Sequence, residues 1–200
     1  MSEAAGPRPP LNEELRFLAR QYPRESWPGH ANLGALARFW LQRHAAFREL
    51  DRIIRSGTQD ALDQRHDPDR LRPWLGRHLQ VLLWQLEEHH QVEDLHYFPV
   101  FRRIEPRLAA GFEVLERDHT ALHETLAVIV KRANAVLGPG NGDPAVFRGA
   151  LERYLDAQRE LGHGLVRHLD DEEDLVIPLL LERGEGALAS AAGVETDHVP

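Results

Sequence analysis

The chain has 200 residues, and 32 acidic against 24 basic side chains give it a net charge of −8. This acidic balance argues against binding to nucleic acid or to an anionic membrane surface, because both need concentrated lysine and arginine. The absence of cysteine excludes disulfides, thiolate metal ligands and cysteine nucleophiles, so any metal must be held by nitrogen and oxygen. The apolar runs are too short to cross a membrane and the N-terminus lacks an apolar signal core, which predicts a soluble, cytoplasmic protein.

Proline and glycine divide the chain into a polar leader, four helical segments and a tail. In residues 1–31 we expect an N-terminal extension with a short helix at 12–21 that caps one end of the protein. The four long segments are predicted at 32–55, ending before Ser56-Gly57, and at 70–104, 106–137 and 144–183; residues 184–200 are expected to be a flexible tail. Apolar residues recur at steps of three and four in each segment. The sequence therefore predicts an all-α fold, an antiparallel up-down-up-down four-helix bundle over 32–183.

Histidine and glutamate interrupt each apolar stripe at positions where the spacing predicts leucine. Residues four apart share one helix face, so a histidine and a carboxylate at that spacing can bind the same metal centre. The interrupting residues are His44 in the first segment, His89 and Glu93 in the second, His119 and His123 in the third, and His168 and Glu172 in the fourth. At about 1.5 Å per residue, Glu93 and His119 lie at matching depths in their helices.

Two of these motifs share a longer frame, which indicates an internal repeat. His89 and His168 are each followed by glutamate after four residues and by proline after ten. Chance predicts roughly 0.1 such frames in a chain of this composition. His44 and His119 precede the two frames by 45 and 49 residues. The sequence thus has the pattern of a duplicated helical hairpin.

This order of motifs on four helices resembles the hemerythrin-like family, also called the HHE cation-binding domain. The resemblance covers residues 32–183 and implies two iron ions joined by an oxo or hydroxo bridge, with manganese or a mixed-metal pair as the alternative. It further implies which residues hold them: His119, His123 and His168 hold one ion, His44 and His89 hold the other, and Glu93 and Glu172 bridge. In oxygen-carrying relatives the last bridging ligand is an aspartate five residues after its histidine, a position occupied here by Glu173. Many bacterial relatives use the fourth position, so Glu172 is preferred.

Coordination arithmetic predicts a centre with one open position. Two octahedral ions offer about twelve positions, of which five imidazoles, two bridging carboxylates and one bridging oxygen fill about eleven. Trp40, Phe47 and Leu126 are expected to form a dry pocket suited to oxygen, peroxide or nitric oxide. The sequence therefore favours a protein that binds such a ligand for oxygen binding, storage or sensing.

Other functions stay open at this stage. A di-iron oxidoreductase at the same site would decompose peroxide, reduce nitric oxide or oxygenate an organic substrate, and would need a substrate channel. Iron donation for iron–sulfur repair ranks last, because relatives with that activity commonly carry a cysteine-bearing module. The alternative without metal is an interaction bundle. The oligomeric state is not determined by the sequence. Structural roles are assigned to Tyr97 and to the remaining histidines, His30, His66, His78, His90, His96, His163 and His198.

Overall fold

The computed structural model describes residues 11–63, 68–138 and 143–191. Within those ranges every regular element is helical, so the predicted all-α fold is confirmed. In chain order the elements are α1 (Phe17–Gln21), a 3₁₀ turn (Arg24–Gly29), α2 (Ala35–Leu62), α3 (Pro68–Val92), a π-helical turn (Glu93–Tyr97), α4 (Phe98–Ile104), a second 3₁₀ turn (Pro106–Leu108), α5 (Ala109–Leu137), α6 (Pro144–Arg183) and α7 (Glu185–Ala191). No helix among these residues is both long enough and apolar enough to span a membrane.

The longest helix, α6, has the predicted bounds because both of its ends carry strong signals. At the start, the Asp143 side chain accepts a hydrogen bond from the Ala145 amide at 2.9 Å, and Pro144 occupies the first helical position. At the end, Gly184 adopts a φ of 73°, and its amide donates to the Leu180 carbonyl at 2.8 Å. A left-handed glycine of this kind satisfies the last carbonyls and stops the helix.

The predicted end of the first long helix, before Ser56-Gly57, is wrong, since α2 continues to Leu62. Gly57 lies directly against the ring of Trp74 on α3, and a Cβ at this position would overlap that ring. Thr58 donates its hydroxyl to the Ile54 carbonyl at 2.8 Å within the helix. The glycine therefore permits close helix packing and does not act as a helix terminator.

The second predicted segment is one continuous helical path interrupted by a π-helical turn. The Phe98 amide donates to the Glu93 carbonyl, five residues back, in place of the usual four. Pro99 follows at once, and its missing amide and bulky ring disfavour regular α-helical bonding upstream. Such a turn changes the direction of the side chains after Glu93, and π turns occur frequently at functional sites.

The described residues form two compact units. Unit 1 comprises the described parts of Met1–Arg43, Val92–Arg117 and Arg167–Pro200. Its hydrophobic core includes Leu11, Leu18 and Trp27 from the leader, Trp40 from α2, Phe98 and Phe101 from α4, Phe112 and Leu115 from α5, Leu175, Leu179 and Leu180 from α6, and Leu188 from α7. The described part of the N-terminal extension therefore packs on this core. The described part of the expected tail forms α7, whereas residues 192–200 lie outside the described ranges.

Unit 2 comprises the described parts of His44–Gln91 and Asp118–Val166. Inside its core, a buried chain of hydrogen bonds connects α6 to α2. Tyr154 donates its hydroxyl to Gln158 Oε1, and Gln158 Nε2 donates to Asp51 Oδ1, both at 2.9 Å. The Arg55 Nε donates to the other oxygen of Asp51 at 2.8 Å. Gly162 makes room for this carboxylate, because an added Cβ would lie 2.8 Å from Asp51 Oδ2.

Candidate metal centre

Unit 1 brings together three of the residues nominated by the sequence, Glu93, His168 and Glu172. Glu93 begins the π-helical turn, and the other two lie one turn apart on α6. Each offers one ligand atom, and these atoms lie within 4.8 Å of one another. His168 Nε2 is 3.3 Å from Glu172 Oε2, and all three side chains belong to residues no more than 1% exposed. This is a dense, dry group of metal-binding atoms.

The two carboxylates of this group carry an electrostatic conflict. Burial, above all, and the neighbouring charge of Glu172 raise the pKa of the Glu93 carboxyl well above its usual range. Two ionised carboxylates held this close in an apolar interior repel each other. A cation bound between the two carboxylates would attract both of them and offset their mutual repulsion.

Trp40 orients Glu172 within the group. The indole N–H of Trp40 donates a hydrogen bond to Glu172 Oε1, while Oε2 faces His168. The adjacent Glu173 is engaged elsewhere, since its carboxylate pairs with Arg24 of the leader at 2.7 Å. Of these two neighbouring glutamates, Glu172 is thus the one that the structure places beside His168.

Tyr97 is the last residue of the π-helical turn, and its ring packs against two other aromatic rings. Its ring lies edge-on to Trp40, with 4.9 Å between ring centroids, and stacks on Phe101 at 6.0 Å. Burial and the charge of Glu93 raise the pKa of the Tyr97 phenol, so it keeps its proton at neutral pH. The core-packing role predicted for Tyr97 agrees with these contacts.

Unit 2 brings His44 and His89 into direct contact. Their Nε2 atoms are 3.2 Å apart, and the two rings meet edge to face. Phe47, which is fully buried, packs on His89 at a centroid distance of 5.0 Å. Two imidazole nitrogens directed at one another beside an apolar ring match the pair that the resemblance assigns to one metal ion.

A second histidine group in unit 2 contains a residue that the sequence interpretation set aside. His119, which is 2% exposed, stacks on His90, with 4.0 Å between centroids and 13° between ring planes. His90 is itself 1% exposed, and its Nδ1 lies 3.4 Å from His123 Nε2. In the sequence, His89 follows Leu86 at a helical step of three residues, and this spacing selected His89 as the ligand. A step of four residues from Leu86 reaches His90 and is equally typical of a helix, so the same spacing could have identified His90 as a candidate ligand.

The remaining histidines lie apart from these groups or outside the described residues. His78 Nδ1 is 2.8 Å from the Trp74 carbonyl within α3, and His30 Nδ1 accepts from the Asn32 amide at 3.1 Å. His96 and His163 are exposed. His66 and His198 lie outside the described residues.

The donor chemistry of both units fits a metal cation. The nominated ligands are imidazole nitrogens and carboxylate oxygens, a set that suits iron or manganese. Placing several such groups in a dry interior is costly without a compensating charge, and a bound cation offsets that cost. The residues present therefore fit the kind of centre that the sequence pattern implies.

Comparison with known families agrees with this conclusion. A model of the hemerythrin HHE cation-binding domain matches residues 35–180, a range that includes all seven nominated ligands. No curated protein and no solved structure matches the chain significantly. The family match covers well over half of the sequence. The chain belongs to the hemerythrin HHE cation-binding domain family.

Proposed function

We propose that this cation-binding protein holds a non-haem di-iron centre and binds one small ligand, such as oxygen, peroxide or nitric oxide, for oxygen binding, storage or sensing. The proposed ligands are those implied by the family pattern: His44 and His89 for one ion, His119, His123 and His168 for the other, and Glu93 and Glu172 as bridges.

The observation that carries the proposal is the buried group formed by Glu93, His168 and Glu172. Three ligand atoms within 4.8 Å, on side chains almost wholly removed from water, form a poor structural core and a good cation site. The His44 and His89 contact supplies a second pair of nitrogens at 3.2 Å. When bound, the iron pair would supply a redox-active centre with an exchangeable coordination position.

The protein's own residues would orient the ligands and exclude water. Trp40 fixes one oxygen of Glu172 by its indole N–H, which restricts the rotation of that carboxylate. Phe47 packs against the ring of His89. Tyr97, which keeps its phenolic proton, offers a hydroxyl donor in the neighbourhood of Glu93. A shielded site of this kind favours a small uncharged ligand over a bulky polar substrate.

The test combines metal analysis with spectroscopy on the full chain. We expect two iron ions per chain and a visible charge-transfer band that forms in air and disappears when oxygen is removed. His168→Leu should abolish stoichiometric iron uptake. The matched control, His163→Leu, removes an exposed histidine from the same helix and should leave uptake unchanged.

The other outcomes separate the alternatives. Wild-type protein without stoichiometric metal after iron loading would refute the proposal. Iron uptake followed by irreversible oxidation in air, or by turnover of added peroxide, would favour a di-iron oxidoreductase at the same site. Transfer of iron to an apo iron–sulfur protein would favour the iron-donation role.

A further inference from the structure

Unit 2 contains a hydrogen-bonded row of three side chains, Glu87, His123 and His90, that leads from the surface to a buried imidazole. Glu87 and His123 have side chains 49% and 36% exposed, whereas His90 is 1% exposed. Glu87 Oε2 lies 3.0 Å from His123 Nδ1, and His123 Nε2 lies 3.4 Å from His90 Nδ1. The row thus uses both ring nitrogens of His123.

The chemistry of the row sets the tautomers. An ionised carboxylate only accepts hydrogen bonds, so His123 carries its hydrogen on Nδ1 and donates it to Glu87. When His123 is neutral, its other ring nitrogen is an acceptor, and Nε2 can then accept from the Nδ1–H of His90. This arrangement leaves the lone pair of His90 on Nε2, the nitrogen that a metal would use.

The position of His90 matches that role. Its ring is stacked on His119, and the ligand atoms of the two imidazoles lie within 4.8 Å of each other. Metal-bound histidines usually donate their second ring N–H to a fixed acceptor, which sets the ring orientation and raises the basicity of the ligand. His123, backed by Glu87, is such an acceptor for His90.

We infer that His90, through Nε2, is the fifth imidazole ligand beside His119, and that His123 with Glu87 orients it from behind. This inference rests on the proposed metal centre and changes one member of its ligand set. It departs from the family pattern, which assigns the ligand role to His123. His123 becomes a positioning residue that acts through His90.

The test compares the iron content of His90→Ala and His123→Ala after anaerobic loading of the full chain. We expect His90→Ala to fall from two iron ions per chain to one. His123→Ala should keep two iron ions but bind them roughly 10- to 100-fold more weakly, because it removes the acceptor that holds the His90 ring in place. His123→Gln can accept from His90 and donate to Glu87, so it should restore most of that affinity. His96→Ala removes an exposed histidine and is the matched control.

The other results separate a failure of the inference from a failure of the proposed metal centre. Two iron ions in His90→Ala would overturn the inference and leave the metal centre intact. One iron ion in both His123→Ala and His123→Gln would also overturn it, because His123 would then be a ligand. A wild-type chain that binds no iron would overturn the metal centre and the inference together. If circular dichroism shows that His90→Ala does not fold, His90→Leu fills the buried position and gives the same comparison.

Discussion

Replacing Glu105 by glutamine is expected to destabilise the protein at neutral pH, and to do so less as the solution is acidified. Glu105 is 2% exposed and accepts hydrogen bonds from Arg107 Nε at 2.7 Å, Arg107 Nη2 at 2.8 Å and Arg183 Nη2 at 2.9 Å. The hydrogen bonds from Arg107, with that from Arg183, lower the pKa of Glu105 from 4.5 to about 2. These contacts connect the turn before α5 to the end of α6.

The size of the effect follows from this pKa. A decrease from 4.5 to about 2 corresponds to at most about 3.4 kcal/mol, since a tenfold change in proton affinity is worth about 1.4 kcal/mol. The side chains of Arg107 and Arg183 are 66% and 43% exposed, so solvent screening reduces the expected value to about 1–2 kcal/mol. Because the folded-state pKa is lowered, this stabilisation is complete above about pH 4.5 and is lost as the pH falls towards 2.

Urea unfolding of wild type and Glu105→Gln at pH 7 and pH 3 measures this contribution. The difference in unfolding free energy between the two proteins at each pH cancels the titration of groups that they share. We expect a difference of about 1–2 kcal/mol at pH 7 and a smaller one at pH 3. Glu113→Gln, an exposed glutamate on α5, is the control and should change little. A difference that does not depend on pH, or no destabilisation at pH 7, would refute the reasoning.

Three further predictions concern the metal site and the core of unit 2. Trp40→Phe keeps the ring packing but removes the donor to Glu172, so chelator competition should show iron affinity roughly 10- to 100-fold lower; unchanged affinity would contradict the orienting role. Glu172→Gln should reduce the iron content, whereas Glu173→Gln should preserve it, and the reverse would assign the ligand to Glu173. Gly162→Ala places a methyl group 2.8 Å from the Asp51 carboxylate and should cost about 1–3 kcal/mol in denaturant unfolding; a variant as stable as wild type would show that the carboxylate moves freely.

The sequence was most informative where chemistry and periodicity coincided. The His89 and His168 frames identified a repeat because glutamate and proline follow each histidine at the same two spacings. The bounds of α6 followed from local signals. Asp143 and Pro144 favour a helix start, and Gly184 favours a helix end, through contacts with residues of the adjacent turn. Features of this kind depend on neighbouring residues and need no knowledge of tertiary packing.

Other features depended on tertiary contacts that the sequence does not encode locally. Gly57 had the pattern of a helix end, but its role is set by Trp74 on another helix. His90 and His89 satisfy the helical spacing from Leu86 equally well, and only the contact with His119 distinguishes their surroundings. Likewise, the proline at the end of each frame does not by itself encode a π-helical turn, because Pro99 follows one at Glu93–Tyr97 whereas Pro178 lies inside the regular helix α6.

The central claim is that buried histidines and glutamates of this chain hold a pair of iron ions. The most direct test is an anaerobic titration of the metal-free full chain with ferrous iron, in which isothermal titration calorimetry measures the number of ions bound. The account predicts saturation at two ions per chain for wild type and loss of that saturation in Glu93→Gln. Saturation at two ions that persists in Glu93→Gln, or an absence of stoichiometric binding by wild type, would contradict it.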